Sequence, residues 1–223
     1  MGLRWLAMMP PADELVAFLA DLSGLVEGAA EGDAAADCRR FAVLVRALQP
    51  TSPTPTGARP FSLPVCRCWA PALEPARAQP RLAAIAHALQ VVGPYLAWTQ
   101  NPNYRRNPPS AGFLNDYGYA VIAGPSEGPP ALLRHASMAL GVLLLAPHVH
   151  YPRHHHPATE LYLPLGPGQW WRGEGPWRLE PPGSVIHHAP DVPHATQAGD
   201  DPLLAIYLWT GDLATHARIE ATA

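Results

Sequence analysis

The stretch Tyr151-Pro-Arg-His-His-His-Pro-Ala-Thr-Glu-Leu-Tyr162 decides how the chain is read. It holds a His-x-His pair, His154 and His156, a carboxylate four residues after the second histidine, Glu160, and a phenol two residues further on, Tyr162. Imidazole nitrogen together with a carboxylate oxygen suits a borderline divalent transition metal such as Zn, Fe, Mn, Co or Ni. Side chains alternate faces along a strand, so these four residues share a face if the segment stays extended through Pro157. Ligands from one hairpin leave a metal open on one side, so a further imidazole has to arrive from another strand. His194, delivered by the turn Pro190-Asp-Val-Pro193, fits that need, with His187 and His188 as alternatives on the preceding strand. The expected site is a metal centre inside a small β-barrel, with Tyr162 beside it as a base.

Eight of the eleven histidines fall between His148 and His194, flanked by apolar strand material, which sets the cluster apart from a terminal tag. A second His-x-His pair, His148 and His150, has no carboxylate at the matching spacing because position 154 is itself histidine. It reads as a strand end or as a neighbour of the ligands.

Outward from this centre the chain changes rhythm near residue 110. Before it, three apolar stripes recur at helical spacing: Leu15, Phe18, Leu19 and Leu22; Phe41, Leu44, Val45 and Leu48; and Leu82, Ile85, Leu89 and Val92. These predict helices from Asp13, over roughly 33–48 and over 80–92, all packing a core. Residues 50–64 form a breaker-rich connector, and 101–110 read as loop. After it come short runs split by Gly and Pro, over 117–123, 136–146, 159–165, 169–172, 177–180, 184–188 and 203–209, the pattern of a sandwich or barrel. The expected organisation is a helical region over 1–110 packing on a mostly β barrel over 111–223, together one compact unit.

Bulk properties narrow the function. A hydrophobic content of 48% with 15% charged residues is that of a globular chain. The formal charge of −3 gives no electrostatic footing for nucleic acid. Every basic residue is Arg, which excludes lysine Schiff-base and Walker-type chemistry. Three cysteines, Cys38, Cys66 and Cys68, make no disulfide framework, and no window approaches the roughly 18 apolar residues of a membrane span. The expectation is a cytoplasmic protein acting on a small molecule, with a homodimer possible.

His154-x-His156-x3-Glu160 with a later His194 after a proline-rich turn resembles the metal-binding cupins, whose fold is a double-stranded β-helix, or jelly-roll, barrel. The fuller pattern is similar to the cupin-type dimethylsulfoniopropionate lyases. It comprises Tyr151-Pro-x-His154-x-His156-Pro-Ala-x-Glu160-x-Tyr162, Pro193-His194-Ala and Pro202-Leu-Leu-Ala-x-Tyr207-x-Trp209, with Tyr104-Arg-Arg-Asn and Tyr117-Gly-Tyr upstream. The resemblance implies His154, His156, Glu160 and His194 as metal ligands and Tyr162 as the catalytic base. It implies Tyr151 and Trp209 as residues lining or gating the pocket. Tyr207 shares a strand face with Trp209, and both suit a cationic substrate. The implied reaction releases dimethyl sulfide and acrylate. Two other readings of the same ligands are a cupin oxygenase and a non-catalytic cupin that binds a small molecule.

Overall fold

A computed structural model describes residues 12–49 and 61–220. Four helices carry the first half: α1 (Ala12–Gly28), α2 (Ala35–Ala47), α3 (Trp69–Arg77) and α4 (Ala83–Val92). The three stripes seen in the sequence face one another. Leu15, Phe18 and Leu22 of α1, Phe41 and Val45 of α2, and Ile85 and Leu89 of α4 are all fully or almost fully buried. Full burial of one such side chain contributes about 1.5–3 kcal/mol, far more than the propensity of any single residue. Acidic Asp13 and Glu14 sit in the first turn of α1, where they complement the helix dipole.

Two elements depart from the expected pattern. α3 has Pro71 and Pro75 among nine residues, which hides it from a search for helix formers. Its buried set of Trp69, Ala72, Leu73 and Ala76 nevertheless follows helical spacing, and packing overrides propensity there. The segment expected to be loop after residue 100 contains a short helix, α5 (Pro102–Arg106), whose N-cap side chain Asn101 accepts from the Asn103 N–H at 2.8 Å. A further short helix, α6 (Phe113–Asp116), leads into the barrel. The connector expected over 50–64 lies outside the described residues as far as residue 60.

Twelve strands follow among the described residues: β1 (Trp98–Thr99), β2 (Tyr117–Gly124), β3 (Ala131–Arg134), β4 (Met138–Leu145), β5 (His150–His155), β6 (Thr159–Pro164), β7 (Gly168–Arg172), β8 (Arg178–Glu180), β9 (Ile186–His188), β10 (His194–Ala198), β11 (Leu203–Thr210) and β12 (Arg218–Ile219). They form two sheets, β1-β2-β4-β11-β6-β9 with β3 beside β2, and β12-β5-β10-β7-β8. Every pairing is antiparallel except β2 with β3. Consecutive strands switch sheets, as β5 to β6 and β9 to β10 do, which is the jelly-roll way of covering both faces of a small barrel.

The helices pack on the first sheet, and one apolar cluster runs without a break from Leu15 through Leu73 and Leu89 to Leu140, Leu161 and Ile206. A second cluster, rich in tyrosine, fills the barrel. The strand logic follows. Residues of β4, β6 and β11 alternate between the helix-facing core and the barrel interior, so these strands are buried on both faces. Helix and barrel are also joined by a polar contact, His187 Nε2 to Asp37 Oδ2 at 2.9 Å.

Candidate metal centre

The central stretch is not one extended strand. β5 ends at His155, the chain turns at Pro157 and Ala158, and β6 begins at Thr159 in the other sheet. The expectation that His154, His156, Glu160 and Tyr162 share a strand face therefore does not hold as stated. They converge because the inner faces of two sheets look at each other across the barrel. The residues meet as expected, by a different geometry.

On the first sheet, cross-strand register builds two rows. His188, Glu160 and Trp209 stand side by side on β9, β6 and β11, and Ile186, Tyr162, Tyr207 and Gly141 form the next row. Glycine stands at position 141 of that row for a steric reason. A Cβ there would be driven into the Ala120 carbonyl oxygen and would lie 2.5 Å from the Tyr207 phenol carbon and oxygen. Gly141→Ala is accordingly expected to destabilise the protein by about 1–3 kcal/mol through overpacking and to displace Tyr207. A melting curve beside an activity assay checks this, and an unchanged melting temperature would contradict it.

On the second sheet, β5 pairs with β10 so that His154 faces His194, while Tyr151 faces Thr196. Three steps along β5 match two along β10, so β5 carries a bulge between Tyr151 and His154. The bulge turns two residues of odd separation to the same side. The Tyr151 and His154 rings stack with centroids 4.0 Å apart and planes at 7°.

Glu160 is the hub, with no solvent exposure. Its Oε1 accepts from Trp209 Nε1 at 2.5 Å. Its Oε2 lies 3.1 Å from His156 Nε2, 3.3 Å from His194 Nε2 and 3.9 Å from His188 Nδ1. Burial alone would raise this carboxyl, but the adjacent His156 and His194 hold it well below the usual carboxylate range. His156, Glu160 and His194 offer one donor atom each within 4.8 Å of one another.

The second nitrogen of each histidine tests whether a cation fits. His154, His156 and His194 place Nδ1 against the backbone carbonyls of Pro152, Ala158 and Val192 at 2.8, 3.0 and 2.9 Å. A carbonyl oxygen only accepts, so each Nδ1 carries a proton and Nε2 is the nitrogen turned outward, bearing a lone pair whenever its ring is neutral. For His156 and His194 that nitrogen points at the Glu160 carboxylate, and His194 Nε2 has no hydrogen-bond partner among the described residues. A buried carboxylate set against two imidazole nitrogens needs positive charge between them, either protons on the rings or a cation that the three groups bind. Orientation of ligand imidazoles by Nδ1–H to carbonyl bonds is the usual outer support of a metal site. The residues fit a divalent cation.

His154 and His188 flank the His194 ring, at centroid distances of 4.1 and 3.9 Å. Burial holds both imidazoles well below their ordinary range, with His194 adding to the effect. A group depressed in the folded state contributes stability above its unfolded value that is lost as pH falls toward the folded one. The metal-stripped protein should thus weaken below about pH 6.5, by up to about 1.4 kcal/mol per pH unit for each of the two groups. Urea midpoints measured near pH 7.5 and 5.5 check the sign, and a midpoint that does not fall would contradict it.

Beside Glu160 lies a cavity walled by aromatic rings. Tyr117, Tyr119, Tyr151, Tyr162, Tyr207 and Trp209 line it, and its other ionisable groups are Glu160 and His216. No arginine lines it among the described residues. Burial, and then the Glu160 charge, push the Tyr162 phenol well above its ordinary value. Burial lifts Tyr119 to about 12. Tyr151 and Tyr104 share a hydrogen bond between hydroxyls of 3.0 Å, which anchors the Tyr151 ring from behind. Asn101 and Asn103 both donate to the Ala217 carbonyl, at 2.9 and 3.0 Å, holding the C-terminal segment over the cavity.

The structure brings together all the residues expected at the site: His154, His156, Glu160, His194, Tyr162, Tyr151, Tyr207 and Trp209. His188, left open between ligand and bystander, is inside with them. His148, His150 and His187 are not. His148 is exposed, 3.7 Å from Asp200, and His187 points away toward Asp37.

Two inward-facing sheets, with histidines and a glutamate at the centre of the barrel between them, define a cupin fold. The family pattern of dimethylsulfoniopropionate (DMSP) lyase matches residues 35–205, and the chain belongs to that family. It is 34% identical over 134 residues to the dimethylsulfoniopropionate lyase DddQ of Ruegeria pomeroyi, covering 60% of this chain and 64% of that protein. It is 33% identical over 129 residues to a putative dimethylsulfoniopropionate lyase DddL of Cereibacter sphaeroides, covering 57% of this chain and 51% of that protein. The aligned part thus spans between half and two thirds of these curated relatives. The crystal structure of DddQ from Ruegeria pomeroyi superposes with a TM-score of 0.65 at 27% identity, over 91% of this chain and 95% of that one. A structure from work on the DMSP lyases RdDddP and RnDddQII shares the fold, with a TM-score of 0.68 at 24% identity over 94% and 98% of the two chains.

Proposed function

We propose that this chain is a metal-dependent carbon–sulfur lyase that cleaves dimethylsulfoniopropionate to dimethyl sulfide and acrylate. The observation that carries the reading is the cavity itself. Its aromatic wall suits a small sulfonium cation, each ring face contributing roughly 0.5–2 kcal/mol, while the lining offers no arginine to receive a carboxylate. A substrate with one cationic and one anionic end would place its sulfonium among Tyr119, Tyr207 and Trp209 and its carboxylate toward the histidines. His154, His156, Glu160 and His194 would hold a divalent transition metal. Bound there, it supplies the positive charge that offsets the substrate carboxylate and favours a phenolate over a phenol.

Tyr162 then does the chemistry. Its phenolate oxygen takes a proton from the carbon α to the carboxylate, and the C–H electron pair becomes the new carbon–carbon double bond. The bond between the β carbon and sulfur breaks, its electrons remaining on sulfur. The leaving group departs neutral, so it needs no acid. Trp209 fixes Glu160 through Oε1, and Tyr151 closes the wall opposite. The helical region over 1–110 and the barrel over 111–223 act as one unit in this reading, with α5 anchoring Tyr151 through Tyr104.

A headspace assay of the purified protein given dimethylsulfoniopropionate decides the matter. Dimethyl sulfide should appear, fall with chelator and return with added metal. Its absence with every first-row divalent ion would sink the proposal. No described helix is long and apolar enough to span a bilayer.

A further inference from the structure

His188 has no assigned task in that account, and its surroundings are unusual for an idle residue. It is completely buried, yet neither Nδ1 nor Nε2 has a hydrogen-bond partner among the described residues. A buried polar atom without a partner carries its full desolvation cost, so folded proteins rarely leave one, and two on a single ring call for an occupant. The neighbours of the ring are not those of an apolar core. His194 stands edge-on at 3.9 Å, the Tyr162 ring at 6.0 Å, and Glu160 Oε2 lies 3.9 Å from Nδ1.

The backbone also aims it. His187 and His188 are adjacent on β9, so they face opposite ways. His187 is pinned outward by Asp37 on α2, and its carbonyl accepts from Arg172 Nη1 at 2.7 Å. Glu160 is the direct cross-strand partner of His188. Two anchors on the preceding residue thus turn the His188 ring into the barrel beside the carboxylate.

We propose that His188 is a metal ligand, joining His154, His156, Glu160 and His194 through its ring nitrogen nearest Glu160. His188 stands nearer the hub than His154, which makes no contact with Glu160 within 4.0 Å and instead stacks on Tyr151. The inference rests on the metal-centre reading above but extends its ligand set to a residue from β9.

Cobalt-loaded protein provides the test, since X-ray absorption at the metal edge counts coordinated imidazoles without reference to activity. His188→Gln should remove one imidazole from the count and weaken Co2+ and Zn2+ binding tenfold or more in chelator competition. An unchanged count with affinity within twofold of the unsubstituted protein would overturn the assignment. Should His188→Gln fail to fold, the same count on His154→Ala decides, because that variant keeps His188: three imidazoles support it and two overturn it. If the unsubstituted protein takes up no divalent metal, the metal-centre reading falls and this one with it. If it binds metal and the count ignores His188, only His188 is wrong.

Discussion

Tyr162→Phe is expected to lower turnover of dimethylsulfoniopropionate by about 10²–10⁴, the contribution of a positioned general base, with metal content unchanged. The substitution removes one oxygen and keeps the ring, whose contact with Trp170 at a centroid distance of 4.8 Å holds the inner face of the barrel together. Tyr162 is also the cavity phenol whose strand neighbour two residues away is Glu160, so its oxygen and the carboxylate share one face of β6. That neighbour has two opposing effects. The bare carboxylate and the burial both resist ionisation of the phenol, whereas a cation at Glu160 would reverse the sign of the local field. The variant must therefore be assayed metal-loaded, with bound metal measured in the same preparation. Activity within tenfold of the original at full metal content would pass the role of base to another phenol of the cavity.

Much of this site could be read from the chain because a few short spacings carry it. His156 and Glu160, four residues apart, meet at 3.1 Å, and the parity of Tyr207 with Trp209 along β11 places both toward the cavity. Which residues would meet was legible, but the path between them was not. Extension through Pro157 gives the right neighbours for the wrong reason, since the turn there moves the chain from one sheet to the other. Tyr151 shows a different limit. Its odd separation from His154 would put it on the opposite face of a regular strand, and only the bulge in β5 brings the two rings into a stack. A bulge has no periodic signature. In α3 the period is present, but two prolines outvote four buried positions at helical spacing. His188 was ambiguous for a third reason: in a pair of adjacent histidines alternation assigns one to each side but does not say which. The contact of His187 with Asp37, 150 residues away in the chain, resolves it.

Glu160→Gln should abolish metal binding and activity while leaving the fold intact. Gln keeps the shape, so its amide oxygen can still accept from Trp209 Nε1. The amide nitrogen then takes the place of Oε2, where it donates toward His156 Nε2 or His194 Nε2, whose outward lone pairs faced an anion before. Where both rings are neutral a repulsive pairing becomes a hydrogen bond, so the chelated variant is then expected to melt no lower than the chelated original. The charge that would hold a cation is gone at the same time. Changing a residue that merely supports a ligand costs about 10–100-fold in metal affinity, and losing the carboxylate ligand itself should cost about 100-fold or more. Elemental analysis after dialysis, alongside melting curves in chelator, separates the two effects. A variant that kept its metal would show that the histidines bind without Glu160. A variant that lost metal and also melted well below the original would show that Glu160 holds the barrel together through its charge.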